Sequence, residues 1–226
     1  MKLLIVGRKP QEAAALLKKH GGAFRIVNTN PEAVVSYGGD GTLMESEYRY
    51  PGVPKLYLRN SRIGKLGHHK DNAAIIDHLA KGEYVISEHI KLEVSKSKKT
   101  LTGLNDIVVH NKDPRHAIRY TVSLNGDLMG GEIIGDGVVL ATPLGSTGYY
   151  RSITDSYFES GIGLAFNNST EQSDHIVLGE NRVVTIEITR GPAVCYADNQ
   201  KKFLELKEGD AVRVEKSSQV ARIIKI

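Results

Sequence analysis

Cysteine is almost absent: Cys195 is the single one among 226 residues. No intrachain disulfide can form, and such a chain belongs by default to a reducing compartment. Long apolar runs are missing as well. No stretch approaches the roughly 20 apolar residues that a membrane-spanning helix needs, which excludes that class. The apolar opening, Met1–Gly7, is too short to read as a signal peptide, so the cytoplasm is the expected location. No Gly-x4-Gly-Lys-Ser/Thr loop occurs, and no Gly-x-Gly-x-x-Gly follows Val6. P-loop NTPases and ordinary nicotinamide dehydrogenases are therefore disfavoured. Gly-x-Ser-x-Gly is missing too, because the local text is Leu144-Gly145-Ser146-Thr147-Gly148. Ser146 is not a hydrolase nucleophile. His68, His69 and His78 have no Cys or carboxylate cluster around them, and zinc needs three or four convergent ligands. No metal site is expected.

What is present is an ordinary soluble composition, 40% hydrophobic and 25% charged. The length suits one large or two small domains, at about 150 residues per domain. Lys plus Arg is 30 and Asp plus Glu is 26, a net +4. That mild excess suits an anionic ligand such as a nucleotide. It is not the concentrated basic patch of a nucleic-acid binder, and no nucleic-acid partner is expected. The densest basic run, Ser95-Lys96-Ser97-Lys98-Lys99, reads as a solvated turn.

The first third alternates strand and helix signals. Leu3–Val6, Ala33–Tyr37 and Lys55–Leu58 read as buried strands, and Gln11–Lys19 and Asp71–Lys81 as amphipathic helices. Such βαβ order predicts a parallel sheet covered by helices. After about Gly82 the texture changes to short strands with turn signals: Ile90–Ser95, Asp106–His110, Ile118–Leu124, Gly137–Thr142, Val183–Thr189 and the last thirty residues. Asn125-Gly126 is a hairpin signal between two of them. The spacing predicts an antiparallel sandwich. The expected fold is a Rossmann-like α/β N-terminal domain, 1–88, followed by an all-β sandwich, 89–208. The cleft between them is the default ligand site.

Tyr37-Gly38-Gly39-Asp40-Gly41-Thr42 is the most informative segment. It follows a buried strand, and open α/β sheets bind ligands at the carboxyl ends of their strands. Three glycines allow a sharp turn and close approach to a ligand. Thr42 and Glu45 have capping-box spacing, which predicts a helix starting at Thr42 whose N-terminus favours phosphate. Asp40 is the odd residue. A carboxylate beside phosphates is repulsive unless it binds a metal or takes a proton, so it is a candidate general base for a hydroxyl nucleophile. A tight turn with Asp40 in an Asx motif is the plainer alternative.

A second polar loop continues from the strand Gly137–Thr142: Pro143-Leu144-Gly145-Ser146-Thr147-Gly148-Tyr149-Tyr150, with Asp136 just ahead of the strand. Tyr149 has a face on which a base can stack, and either tyrosine reads equally as core. Cys195, in the alternating segment Ala193–Ala197, reads as a small core residue.

Taken together, Gly38-Gly39-Asp40-Gly41-Thr42, Leu104-Asn105-Asp106, Gly135-Asp136-Gly137 and Thr142–Tyr149 resemble the ordered motifs of the NAD kinases. The resemblance runs from about Val34 to Tyr150 and returns at Asp174–Leu178 and at Asp198-Asn199-Gln200. It implies that Asp40 takes the proton from the 2′-hydroxyl of NAD's adenosine ribose. It further implies that Gly38, Gly39, Gly41 and Thr42 line the phosphate path from ATP or polyphosphate. Asn105 and Asp106 would hold part of the dinucleotide, and Asp136 its nicotinamide end or ribose. Thr147, Gly148 and Tyr149 would enclose the adenine end, with Ser152 adding a hydrogen bond. Mg²⁺ or another divalent cation would accompany ATP, with no tightly bound cofactor. A homodimer or homotetramer, and the return of about 209–226 to the first domain, are also implied.

This sequence departs from the family pattern in places. Asn105-Asp106 stands for Asn-Glu, Gly148 for Ala, and Asp198-Asn199-Gln200 for Asp-Gly-Gln. The segment Arg59–His68 is longer and more basic than its counterpart, and Arg62, Lys65 and His68 are candidate partners of donor phosphates. His175 is a nucleotide-site candidate by resemblance alone. Two alternatives stay open: a lipid or small-molecule kinase of the same superfamily, and an NAD(P)-binding sensor with degenerate chemistry. The lack of a basic amphipathic helix counts against the lipid kinase.

Overall fold

A computed structural model of the chain describes residues 1–60, 71–171 and 175–226. Arg62, Lys65, His68, His69 and Asp174 lie outside the described residues. The chain divides into two compact units, Met1–His89 with Gln219–Ile226, and Ile90–Ser218.

The first unit is a parallel sheet with helices. Its elements are β1 (Lys2–Gly7), α1 (Pro10–Lys18), β2 (Arg25–Ile26), β3 (Ala33–Gly38), α2 (Asp40–Arg49), β4 (Lys55–Arg59) and α3 (Asn72–Lys81). β3 pairs in parallel with β1 and with β4, and β2 pairs in parallel with β1. Local signals fix α3 at both ends. The Asp71 carboxylate accepts from the Ala73 N–H at 3.0 Å, and Gly82 closes the helix at φ 76°.

The two faces of this sheet differ. Leu3, Val35, Tyr37, Leu56 and Leu58 join Ala13 and Leu17 of α1 and Ile75, Ile76 and Leu79 of α3 in one large apolar cluster. Among the described residues, the opposite face carries the smaller buried apolar cluster of Leu4, Val6 and Val34, with Tyr50 and Val53 packed against it. Helix α2 covers that leaner face and buries one apolar side chain, Leu43, beside Ser46 and Glu47.

The second unit contains most of β5 (Val85–Lys96), then β6 (Lys99–Gly103), β7 (Asp106–Asn111), β8 (Ile118–Leu124), β9 (Asp127–Leu128), β10 (Ile133–Gly135) and β11 (Gly137–Ala141). After the short helix α4 (Tyr149–Thr154) come β12 (Ile162–Asn167), β13 (His175–Leu178), β14 (Val184–Arg190), β15 (Ala193–Ala197) and β16 (Phe203–Leu206). The long β17 (Ala211–Lys225) begins here and ends in the first unit, where Ile223 pairs with Lys55 of β4. One antiparallel sheet has the order β13-β12-β11-β7-β15-β16. The facing layer pairs β10 with β8, β8 with β14, and β14 with the start of β17. The two layers enclose a core that includes Ile107, Val109, Val138, Leu140, Tyr120, Val122, Ile186 and Val214. Cys195 is in this core, and burial pushes its thiol up to about 12. Asn125 and Gly126 take positive φ, 53° and 96°, and close the β8–β9 hairpin.

Candidate active site

In the first unit, β3 ends at Gly38 and α2 begins at Asp40, with Gly39 extended between them at φ −104°. The helix therefore starts two residues before the position that the capping-box spacing predicts. Thr42 does not cap it, because the Gly39 carbonyl is already accepting from the Thr42 N–H at 2.9 Å. The Thr42 side chain instead lies against Gly38, where an added Cβ would stand 2.2 Å from Thr42 Oγ1. Only glycine fits that approach. Glu45, the other half of the expected box, pairs with Arg49 one turn on. The consequence is that Asp40 and Gly41 are the first residues of the helix, at its positive dipole end.

The Tyr57 hydroxyl of β4 donates to Asp40 Oδ1 at 3.2 Å. Burial pushes the Tyr57 phenol well above its ordinary range, and the charge of Asp40 adds to the shift. The sequence offers no sign of this contact, since Lys55–Leu58 reads as one more buried strand.

The second unit gathers Asn105, Asp106, Asp136 and the Thr142–Ser152 region. Two loops are sewn together. The Thr142 hydroxyl donates to the Leu104 carbonyl at 2.7 Å and accepts from the Gly145 N–H at 3.1 Å. The Thr142 N–H donates to the Asn105 carbonyl at 2.8 Å. Gly145 packs so closely that a Cβ there would stand 2.1 Å from the Asn105 carbonyl oxygen. Asp198 secures the other side, accepting from the N–H groups of Leu104, Asn105 and Asp106 at 2.8, 2.7 and 3.2 Å.

Asp106 is 9% exposed. Burial, with Asp198 close by, raises its carboxyl to about 7. Burial raises Asp198 also, against the pull of its three backbone N–H donors. Those donors favour ionised Asp198, so Asp106 is the partner that keeps a proton near neutrality. Asn105 is buried with its side-chain Oδ1 unmatched among the described residues.

Helix α4 separates its two tyrosines. Tyr150 is core, packed with Ala141 and Ala165 and edge-on to Phe158 and His175 at centroid distances of 5.1 and 5.8 Å. Tyr149 is half-buried, and its hydroxyl accepts from Asn167 Nδ2 at 3.0 Å. Asn167 also meets His110 Nε2 at 3.3 Å. Burial raises the Tyr149 phenol, and the charges of Asp136 and Asp106 add to it, so these side chains share one neighbourhood. Asp136 is held by Asn111 Nδ2 at 3.0 Å and Asn168 Nδ2 at 2.6 Å. Ser152 Oγ donates to the Tyr149 carbonyl at 2.7 Å. Thr147 ends a 3₁₀ turn, Gly145–Thr147, and the exposed Gly148 links it to α4. A Cβ at 148 would meet only the Gly145 carbonyl, at 3.2 Å, so alanine is nearly accommodated there.

The sequence-predicted residues thus form two groups, Gly38–Thr42 in the first unit and Asn105, Asp106, Asp136 and Thr147–Ser152 in the second. His110, Asn111, Asn167 and Asn168 carry no mark in the sequence. Each lies on or beside a strand of the second unit, where no local motif singles it out.

Residues 104–226 match the family model of the ATP-NAD kinase C-terminal domain. An NAD kinase of Natranaerobius thermophilus is 25% identical over 210 residues, covering 86% of this chain and 73% of that protein. The fold matches a crystal structure of an NAD kinase from Archaeoglobus fulgidus in complex with ATP, with a TM-score of 0.82 and 20% identity over 100% of this chain and 94% of that one. It also matches yeast NADH kinase complexed with NADH, with a TM-score of 0.84 and 17% identity over 100% of this chain and 83% of that one. The chain belongs to the ATP-NAD kinase family.

Proposed function

We infer that the protein is an NAD kinase, moving the terminal phosphoryl group of ATP or polyphosphate to the 2′-hydroxyl of NAD's adenosine ribose. The observation that carries this reading is the family match over residues 104–226. Asp40 is the proposed base. Its place in the first turn of α2, directly after the strand that ends in Gly38, supports that role. In the step, the ribose oxygen forms a bond to the terminal phosphorus, and the bond from that phosphorus to the bridging oxygen breaks. The hydroxyl proton goes to the Asp40 carboxylate. A base within hydrogen-bond reach contributes about 10² to 10⁴ in rate.

The N-terminal turn of α2, with Gly38, Gly39, Gly41 and Thr42, is the proposed donor-phosphate cradle. Asn105, Asp106, Asp136, Thr147, Gly148, Tyr149 and Ser152 are proposed to hold the dinucleotide. Asp106 carrying a proton can both donate and accept toward ribose hydroxyls or an amide. No three acidic, His or Cys side chains converge among the described residues. A divalent cation is therefore proposed to arrive on the donor's phosphate oxygens and to neutralise their charge.

No helix among the described residues is long and apolar enough to cross a membrane, and cytoplasmic work is proposed. Self-association is proposed too. The outer strands β13 and β16 of the second unit expose Ile176, Val177 and Phe203, and such edges are favoured pairing sites.

The test is NADP formation by purified protein given NAD, Mg²⁺ and either ATP or polyphosphate, read by an NADP-specific cycling assay. Product with one donor supports the reading and names the donor. No product from folded protein that binds NAD would favour the sensor.

A further inference from the structure

We propose that Tyr57 is the positioning residue for Asp40, and that a buried polar column beneath α2 fixes the helix that carries it. The proposal rests on the reading of Asp40 as the base. It starts from the contrast between the two faces of the parallel sheet. Helices α1 and α3 are held by a broad apolar cluster. Helix α2 covers the other face with Leu43 as its one buried apolar residue. Apolar contact is non-directional, so a single leucine does not set the rotation or the axial position of a helix to the fraction of an ångström that proton transfer needs.

Polar contacts supply that definition. Lys55, Tyr57 and Arg59 alternate onto one face of β4, and Ser36 of β3 stands beside Tyr57 in register. Three pairs reach up from this face to α2. Lys55 Nζ, 1% exposed, is ion-paired with the buried Glu47. Ser36 Oγ donates to Ser46 Oγ at 2.7 Å, and Ser46 Oγ donates on to the Thr42 carbonyl at 2.8 Å. Tyr57, also 1% exposed, donates to Asp40 Oδ1 at 3.2 Å. The pairs meet α2 at Asp40, in its first turn, and at Ser46 and Glu47, in its last, with Tyr57 at the first-turn end. Each is directional, and Ser36, Ser46, Glu47, Lys55 and Tyr57 are buried, so a rotation of α2 would strand several polar groups at once.

The Tyr57 contact is longer than the roughly 2.7–2.8 Å usual between two oxygens. A phenol that holds Oδ1 fixes the carboxylate plane before the ribose hydroxyl arrives. The effect of Tyr57 on the reaction is proposed to pass through Asp40.

The test is Tyr57→Phe in the full chain, with kcat and both KM values measured beside wild type and Asp40→Asn. The expected result is a fall in kcat of about tenfold, with KM for NAD and for the phosphate donor within twofold. Unchanged kcat, or a loss confined to KM, overturns the proposal. Thermal unfolding gives a readout independent of activity. Tyr57→Phe should lower the midpoint by about 3 °C beside Asp40 and should not lower it in an Asp40→Ala background. Equal lowering in both backgrounds means that the phenol acts elsewhere, and the proposal fails. Should Tyr57→Phe not fold, 3-fluorotyrosine at position 57 keeps the shape and alters the donor. It must then move kcat at least twofold with KM unchanged, or the proposal falls. Full activity in Asp40→Asn would instead remove the reading of Asp40 as base, and is distinguishable from each of these outcomes.

Discussion

In the first unit the proposed chemistry rests on one carboxylate, Asp40, on a helix that buries a single apolar residue and makes polar contacts to the strands beneath it. In the second unit the candidate residues sit on loops whose backbones are tied to one another. Asp198 takes three consecutive N–H groups, and Thr142 and Gly145 close the seam with Leu104 and Asn105. A base needs one atom in one place, and a few directional contacts suffice. A recognition surface needs many groups at fixed spacing, and a stiff backbone network supplies them. The two regions should accordingly fail in different ways: the first in turnover with the fold intact, the second in binding or stability.

The largest expected effect is at Asp40. Asp40→Asn should lower kcat by about 10² to 10⁴ while leaving the thermal midpoint near wild type. Comparable turnover in that variant would erase the contrast. Next is Gly145→Ala, whose added Cβ meets the Asn105 carbonyl oxygen at 2.1 Å. A clash of that kind between a Cβ and a backbone carbonyl should cost more than about 3 kcal/mol in denaturant unfolding, and dinucleotide binding should go with it. A normal unfolding curve would show that the seam is looser than described.

Asp106 sharpens the comparison through pH. Its folded-state carboxyl, at about 7, is raised far above the ordinary 3.8, by burial first and by Asp198 second. The folded state therefore holds this proton more tightly than the unfolded chain. Its contribution is full below about 4 and is lost as pH rises toward 7. Asp106→Asn should remove that loss, gaining on the order of 2 kcal/mol at pH 8 relative to wild type and little at pH 4. An identical pH dependence of stability in the two proteins would contradict the assignment. The smallest effect is at Tyr149. Tyr149→Phe should raise KM for NAD about three- to tenfold with kcat nearly unchanged, a loss of about 1 kcal/mol in binding. A fall in kcat alone would move Tyr149 from recognition to chemistry.

Much of this organisation is legible in the amino-acid sequence. Strand-helix alternation up to Lys81 announces the parallel sheet, because β1, β3, β4, α1 and α3 are each long enough to show their own signal, whereas β2, with two residues, is not. Asp71 and Gly82 bracket α3 as caps should, and Asn125-Gly126 closes a hairpin as that pair should. Other features leave no local trace. Helix α4 has six residues, too few for a helical period, and reads as a polar loop. The start of α2 is misleading because Thr42 and Glu45 imitate a capping box, while the real constraint is the fit of Thr42 against Gly38. Tyr57 sits in a run that reads as an ordinary buried strand, and its partner lies 17 residues away. The glycine-Asp turn shows which carboxylate to suspect, and nothing in it shows what holds that carboxylate still. Cys195 shows the reverse case, a residue whose lone occurrence and alternating neighbours already imply the buried thiol that the core contains.

The proposed division between a catalytic first unit and a recognising second unit is tested most directly by the equilibrium dissociation constant of NAD for Asp40→Asn. If recognition resides in Asn105, Asp106, Asp136 and the Thr147–Ser152 region, the constant should lie within about twofold of wild type, a difference of under about 0.5 kcal/mol. Binding weakened tenfold or more by this one change would place recognition on the first unit as well, and would contradict the account.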